Sequence, residues 1–251
     1  MTLTQDEEEA LKSHTTNVSL TRKEREKDRN DKTKAVVCFD LENVFSLPIS
    51  GVSIFFYKRK LATYNMTAQL SLTKKAYFAV WHEGCGGRGV NNMASAVVRI
   101  LQEIVNDHPD IGELTLWSDS CVCQNRNSVM TMALSLFVQE SDSIHTVIQK
   151  FCEAGHSSIQ EVDSVHSVIE RHLRYQEVHS PLALIKKLST LKNTKTIQMT
   201  KFLDYQSKAR KEFKFGRVPY TQVRQLKISK VAGVVHYKKI PRCSRVDHSQ
   251  C

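Results

Sequence analysis

Apolar residues along this chain fall into short runs divided by polar turns, and their spacing switches between a two-residue and a helical period. Ala35-Val36-Val37-Cys38-Phe39 is apolar at successive positions, which predicts a strand over 35–40 buried on both faces. After a break at Leu47-Pro48-Ile49-Ser50-Gly51, residues 53–60 read as a second strand. Over 64–72, Met66, Ala68, Leu70 and Leu72 alternate with polar neighbours, and 76–81 is a further strand. The segment 84–89 holds four glycines and predicts a flexible turn. Asn91 or Asn92 can cap the next helix, which carries Met93, Val97, Ile100, Leu101 and Ile104 at helical spacing to about residue 106. A strand at 114–118, a helix at 127–139, a strand at 144–151 and a helix at 160–174 follow. Later come a short helix at 182–191, an extended stretch at 196–202, a basic exposed stretch at 204–215, and strands at 222–229 and 231–239.

This order predicts an α/β fold: a mixed β-sheet of about five strands flanked by helices. Three regions are expected. Residues 1–34 lack a sustained apolar stripe and form a disordered or loosely helical charged lead-in. Residues 35–175 form the folded domain, and 176–251 a basic C-terminal extension with a short helix and a small β-hairpin.

Charge sharpens that division. The net charge of +10 divides into 0 over 1–34, −3 over 35–175 and +13 over 176–251. A block of positive charge favours polyanions, nucleic acid above all, with a solvated tail as the competing reading. Tyr205, Phe213, Phe215, Tyr220 and Tyr237 interleave with its cations, a pattern suited to base stacking or to a small β core. Arg126, Lys208, Arg210, Lys211, Lys214 and Arg217 are the candidate phosphate contacts. No apolar run approaches the roughly 18–20 residues that span a bilayer, so no membrane partner is expected. Seven cysteines without paired spacing predict reduced thiols in an intracellular protein, and Cys121-x-Cys123 alone does not make a zinc set.

The candidate chemistry is carboxylate chemistry. Asp40 closes the first strand, Asp119 closes the strand at 114–118, and Asp163 opens a late helix. Acids at strand ends leave the core at the sheet rim, and three that converge there can hold hard divalent cations. His166 and Glu170 lie three and seven residues after Asp163 and share its helix face, as accessory groups or as a solvent-facing stripe. His156 is a further accessory candidate or a turn residue. Gln124, Asn125, Arg126 and Asn127 follow Asp119 and can contact phosphates or orient its loop, with helix capping by Asn125 or Asn127 as the competing reading.

Several motifs carry a family resemblance. They are Phe39-Asp40-Leu41, the segment from Phe56 to Asn65, Trp81-x-Glu83 with Arg88-Gly89, and Trp117-Ser118-Asp119-Ser120-Cys121-x-x-Gln124-Asn125-Arg126-Asn127. Gly155-His156-Ser157 and Val162-Asp163-Ser164-x-His166 with Ile169-Glu170 complete the set. Over about residues 35–200 the chain resembles the ribonuclease H-like fold of ribonuclease H, retroviral integrases and DDE/DDD transposases. It is most similar to transposon-derived proteins with an integrase-like domain. The resemblance implies catalytic, metal-ligating roles for Asp40, Asp119 and Asp163, with Mg²⁺ or Mn²⁺ in a two-metal site. It also implies a DNA partner, no small-molecule substrate and a nuclear location; oligomeric state stays open. Asn92 stands where members carry an acid, and Cys123 where they carry glycine. A catalytically inactive nucleic-acid-binding or protein-interaction remnant is therefore the alternative.

Overall fold

The computed structural model describes residues 4–53, 58–153, 161–212, 218–230 and 235–239. Among the described residues, nine strands make one mixed sheet. They are β1 (Ala35–Leu41), β2 (Phe45–Leu47), β3 (Leu61–Leu70), β4 (Ala76–His82), β5 (Glu113–Ser118), β6 (Thr146–Phe151), β7 (Thr194–Gln198), β8 (Val223–Ser229) and β9 (Val235–Lys239). The order across the sheet is β7-β4-β3-β1-β5-β6-β8-β9, with β2 paired to β3. Among the described residues six α-helices accompany it: α1 (Gln5–Asn30), α2 (Val90–Asp107), α3 (Ser128–Glu140), α4 (Glu161–Leu173), α5 (Pro181–Leu188) and α6 (Tyr205–Glu212).

β1 lies in the middle, antiparallel to β3 and parallel to β5. Its first five residues are buried because helices cover both faces of the sheet. On one face Val37 and Phe39 join Met66, Tyr77 and Trp81 beneath α2 and α3 in the main core. On the other, Val36 and Cys38 meet Trp117, Cys152 and Val162, while Phe78 and Val80 meet Val165, Ile169 and Leu173 of α4. The periodic apolar positions of α2 are all buried, as their spacing implies.

The expected α/β class and flanked mixed sheet are present, but the sheet is wider than about five strands. β7 pairs with β4 at one flank, and β8 and β9 extend β6 at the other. The strands that follow residue 175, including the expected hairpin of β8 and β9, pair into the same sheet as those before it, and the expected short helix is α5. A strand expected at 53–60 lies partly outside the described residues, and 58–60 are not strand. Instead β3 begins at Leu61, and β2 occupies the stretch before the expected break. The 84–89 turn is tied down rather than loose: Trp81 Nε1 donates to the Gly87 carbonyl at 3.0 Å. Gly89, not the expected Asn91 or Asn92, is the N-cap of α2, and Asn91 is engaged elsewhere. It donates to Asp204 and accepts from the Gln206 N–H, which ties the start of α6 to α2.

The lead-in expected to be disordered or loosely helical is a 26-residue helix. Thr4 and Glu7 form a capping box at its start. The helix has no apolar stripe, so ion pairs hold it to the sheet. Lys150 donates to Asp28 at 2.6 Å and to Glu24 at 2.8 Å, and Trp117 Nε1 donates to Asp28 at 3.2 Å. Arg29 pairs with Glu161 of α4 at 3.0 Å. Asp28 is only 3% exposed, so its removal leaves the Lys150 ammonium without its closest partner. Asp28→Ala is expected to lower stability by about 3 kcal/mol in urea titration and to open α1 to limited proteolysis. A loss below about 0.5 kcal/mol would show that α1 does not depend on this contact.

Candidate active site

β1, β4, β5, β6 and β7 all run in one direction, so their carboxyl ends share a rim of the sheet. The chain builds one side of the sheet from β1 through β4, then returns to add β5 on the other. Such a reversal of strand order leaves a crevice at the strand carboxyl ends. Asp40 and Asp119 border it. The parallel register pairs Cys38 with Trp117, and one pleat further brings Asp40 level with Asp119 on the same face. That is the face carrying Val162 of α4.

α4 delivers Asp163 in its first turn. The helix start is fastened by Glu161, which accepts from the Cys38 thiol at 2.8 Å and pairs with Arg29. Burial opposes ionisation of Glu161, but the Cys38 hydrogen bond and the arginines outweigh it and keep the group below its usual range. Asp119 Oδ1 accepts from the Cys121 N–H and from the Asn125 amide, so Asn125 orients the carboxylate. Asp40 accepts from the Leu41 N–H at 2.8 Å. Burial first, then repulsion from Asp119 and a smaller push from Asp163, raises the Asp40 carboxyl to about 6. The three acids therefore share one electrostatic environment. Among the described residues, however, no three His, Cys, Asp or Glu side chains converge closely enough to cage an ion.

Beside Asp40 lies a buried polar row that the sequence reading did not single out. Thr63, Asn65 and Thr67 of β3 are fully buried, and Thr67 is the register partner of Asp40. Glu42 is 4% exposed and accepts from the Asn65 amide at 2.7 Å. Burial drives its carboxyl up to about 8; the Asn65 hydrogen bond opposes this and nearby Glu170 adds to it. The signal was present as polar residues at alternate positions of β3. A single strand does not reveal that α4 covers that side.

The remaining candidates divide. His166 is half-buried, and burial lowers its pKa against the pull of Asp163 and Glu170. Glu170 is exposed on the same helix, and Gln124 is half-buried with its carbonyl accepting from Asn127. Asn127, not Asn125, caps α3. Arg126 is contradicted as a phosphate contact: it is 5% exposed, lies over the Phe151 ring and donates to the Val223 carbonyl. An interior guanidinium fixed between β6 and β8 does not reach a polyanion. Lys208, Arg210 and Lys211 are exposed on α6, which buried Tyr205 and Ala209 anchor. His156, Lys214 and Arg217 lie outside the described residues.

A mixed sheet with helices on both faces and an acidic crevice at its rim defines an α/β domain. The model of the family described as Domain of unknown function (DUF7869) matches residues 60–242, and the chain belongs to that family. The match takes in Asp119 and Asp163, begins after Asp40, and runs across residue 175 through β9. Comparison with curated proteins and with solved structures gives no match. Among the described residues, no helix is long and apolar enough to cross a membrane.

The raised Asp40 carboxyl has a signed consequence. Its folded state holds the proton more tightly than the unfolded chain, so its contribution is favourable at low pH and is lost as pH rises through about 6. Asp40→Asn is expected to raise stability by on the order of 2 kcal/mol at pH 8 in chelator, with a clearly smaller gain at pH 4.5. Urea titrations at both pH values check this, and equal gains would contradict it.

Proposed function

We propose that this chain is a ribonuclease H-like, transposase- or integrase-derived domain that cleaves or joins DNA by metal-dependent phosphoryl transfer. The observation that carries the reading is the gathering of acids from three distant segments at one rim: Asp40 and Asp119 follow adjacent parallel strands, and Asp163 lies in the first turn of the helix packed on that face. Their positions on a first central strand, past a later parallel strand and on a late helix are those the family resemblance implies. Repulsion among carboxylates is a cost that a bound cation offsets, and carboxylate oxygens suit Mg²⁺ or Mn²⁺.

In this reading Asp40, Asp119 and Asp163 hold the cations. When bound, these ions stabilise the attacking and leaving oxygens and activate a water or 3′-hydroxyl nucleophile. Asn125 keeps Asp119 turned toward the crevice, and the Glu161 contacts to Cys38 and Arg29 hold the first turn of α4 over β1. Lys208, Arg210 and Lys211 supply phosphate contacts from α6. A DNA substrate carries with it a nuclear location.

A second reading, a DNA-binding remnant without catalysis, rests on two observations. Asn92, half-buried against the 84–89 turn, supplies no charge, and the three acids do not close into a cage. Plasmid nicking separates the two. The wild type is expected to nick supercoiled DNA with Mn²⁺, and Asp119→Asn to reduce nicking to background. Nicking that survives this change rules out the catalytic assignment, while metal-indifferent DNA binding without nicking supports the remnant. In either case, replacing Lys208, Arg210 and Lys211 with alanine is expected to make the slope of log affinity against log salt shallower by about 2–3. An unchanged slope removes α6 from the interface.

A further inference from the structure

The row beneath α4 contains more acceptor oxygens than it has donors to fill. Asn65 directs its amide N–H bonds to Glu42 Oε2 at 2.7 Å and to Thr67 Oγ1 at 3.1 Å. That leaves Asn65 Oδ1, Glu42 Oε1 and Thr63 Oγ1, three buried oxygens without a hydrogen-bond partner. Their residues are 0%, 4% and 0% exposed. Thr63 and Asn65 are alternate residues of β3 and so project to one face, and the Glu42–Asn65 contact brings Glu42 to that face as well. This is the face that α4 covers with Val165 and Ile169, which pack on Val80, the register partner of Asn65. On α4, the His166 Nε2 is also buried without a partner, and exposed Glu170 acts electrostatically on Glu42.

Buried polar atoms are normally satisfied, and unfilled ones call for an occupant. A hydroxyl, an amide oxygen and a carboxyl oxygen are hard donors, and together they suit a hard divalent cation. We propose that Glu42, Asn65 and Thr63 form an inner site for a hard divalent cation beneath α4, separate from the crevice of Asp40, Asp119 and Asp163. Its donors include only one charged side chain from the strands, the others being neutral oxygens. The ion neutralises Glu42 and holds α4 against β1 and β3. This site does not depend on nuclease activity and remains if the catalytic reading fails.

The full chain is titrated with Mn²⁺ alone, reading bound ion by electron paramagnetic resonance and melting temperature in parallel. Glu42→Gln is expected to lose one bound Mn²⁺ and the Mn²⁺-induced rise in melting temperature. Asp119→Asn is expected to keep both of these effects. Asn65→Ala, which removes an oxygen without touching a charge, is expected to weaken the same Mn²⁺ at least tenfold. Full Mn²⁺ stoichiometry in Glu42→Gln and Asn65→Ala overturns the inner site, as does a wild type that binds no Mn²⁺, for which buried water is the occupant. Loss of bound Mn²⁺ only in Asp119→Asn supports the crevice and rejects the inner site. Loss only in Glu42→Gln does the reverse.

Discussion

Everything in this molecule is arranged around a strand that has no free side. β1 is hydrogen-bonded along both edges and packed against helices on both faces, so its first five residues have nowhere to place a polar group. Its first acid therefore falls where the packing ends. The parallel partner obeys the same rule, since β5 is buried through Ser118 and then releases Asp119. The rim of acids follows from burying two adjacent strands to the same depth.

That logic explains what could be read from the chain. The run 35–39 and the periodic α2 stand out because apolar burial writes itself into local pattern. The helix bearing Asp163 is legible for the same reason, through Val162, Val165, Ile169 and Leu173. What could not be read depends on partners distant in sequence. α1 looks unstructured because its contacts are ionic, with Glu24 and Asp28 matched to Lys150 more than 120 residues later. Arg126 looks like a surface cation because nothing nearby in sequence announces Phe151 or Val223 as its surroundings. Thr63, Asn65 and Thr67 look like the wet side of a strand, and only the docking of α4 makes them interior.

Electrostatics divides the molecule by place rather than by domain. Acids gather at the strand ends and under α4, where burial raises Asp40 and Glu42. The exposed lysines and arginine of α6 hang from the other face of the sheet, on a helix that packs against α2 and α3. Cations that do enter the interior arrive with partners, as Lys150 does with Glu24 and Asp28.

The late segments close the sheet from both ends: β7 shields the outer edge of β4, and β8 shields that of β6. Until residues 194–198 and 223–229 have left the ribosome, the nascent polypeptide carries two bare strand edges rich in apolar side chains. Its long-range pairings postpone completion of the sheet until those late strands have emerged, and in that interval the unfinished sheet is open to sticking to its own copies.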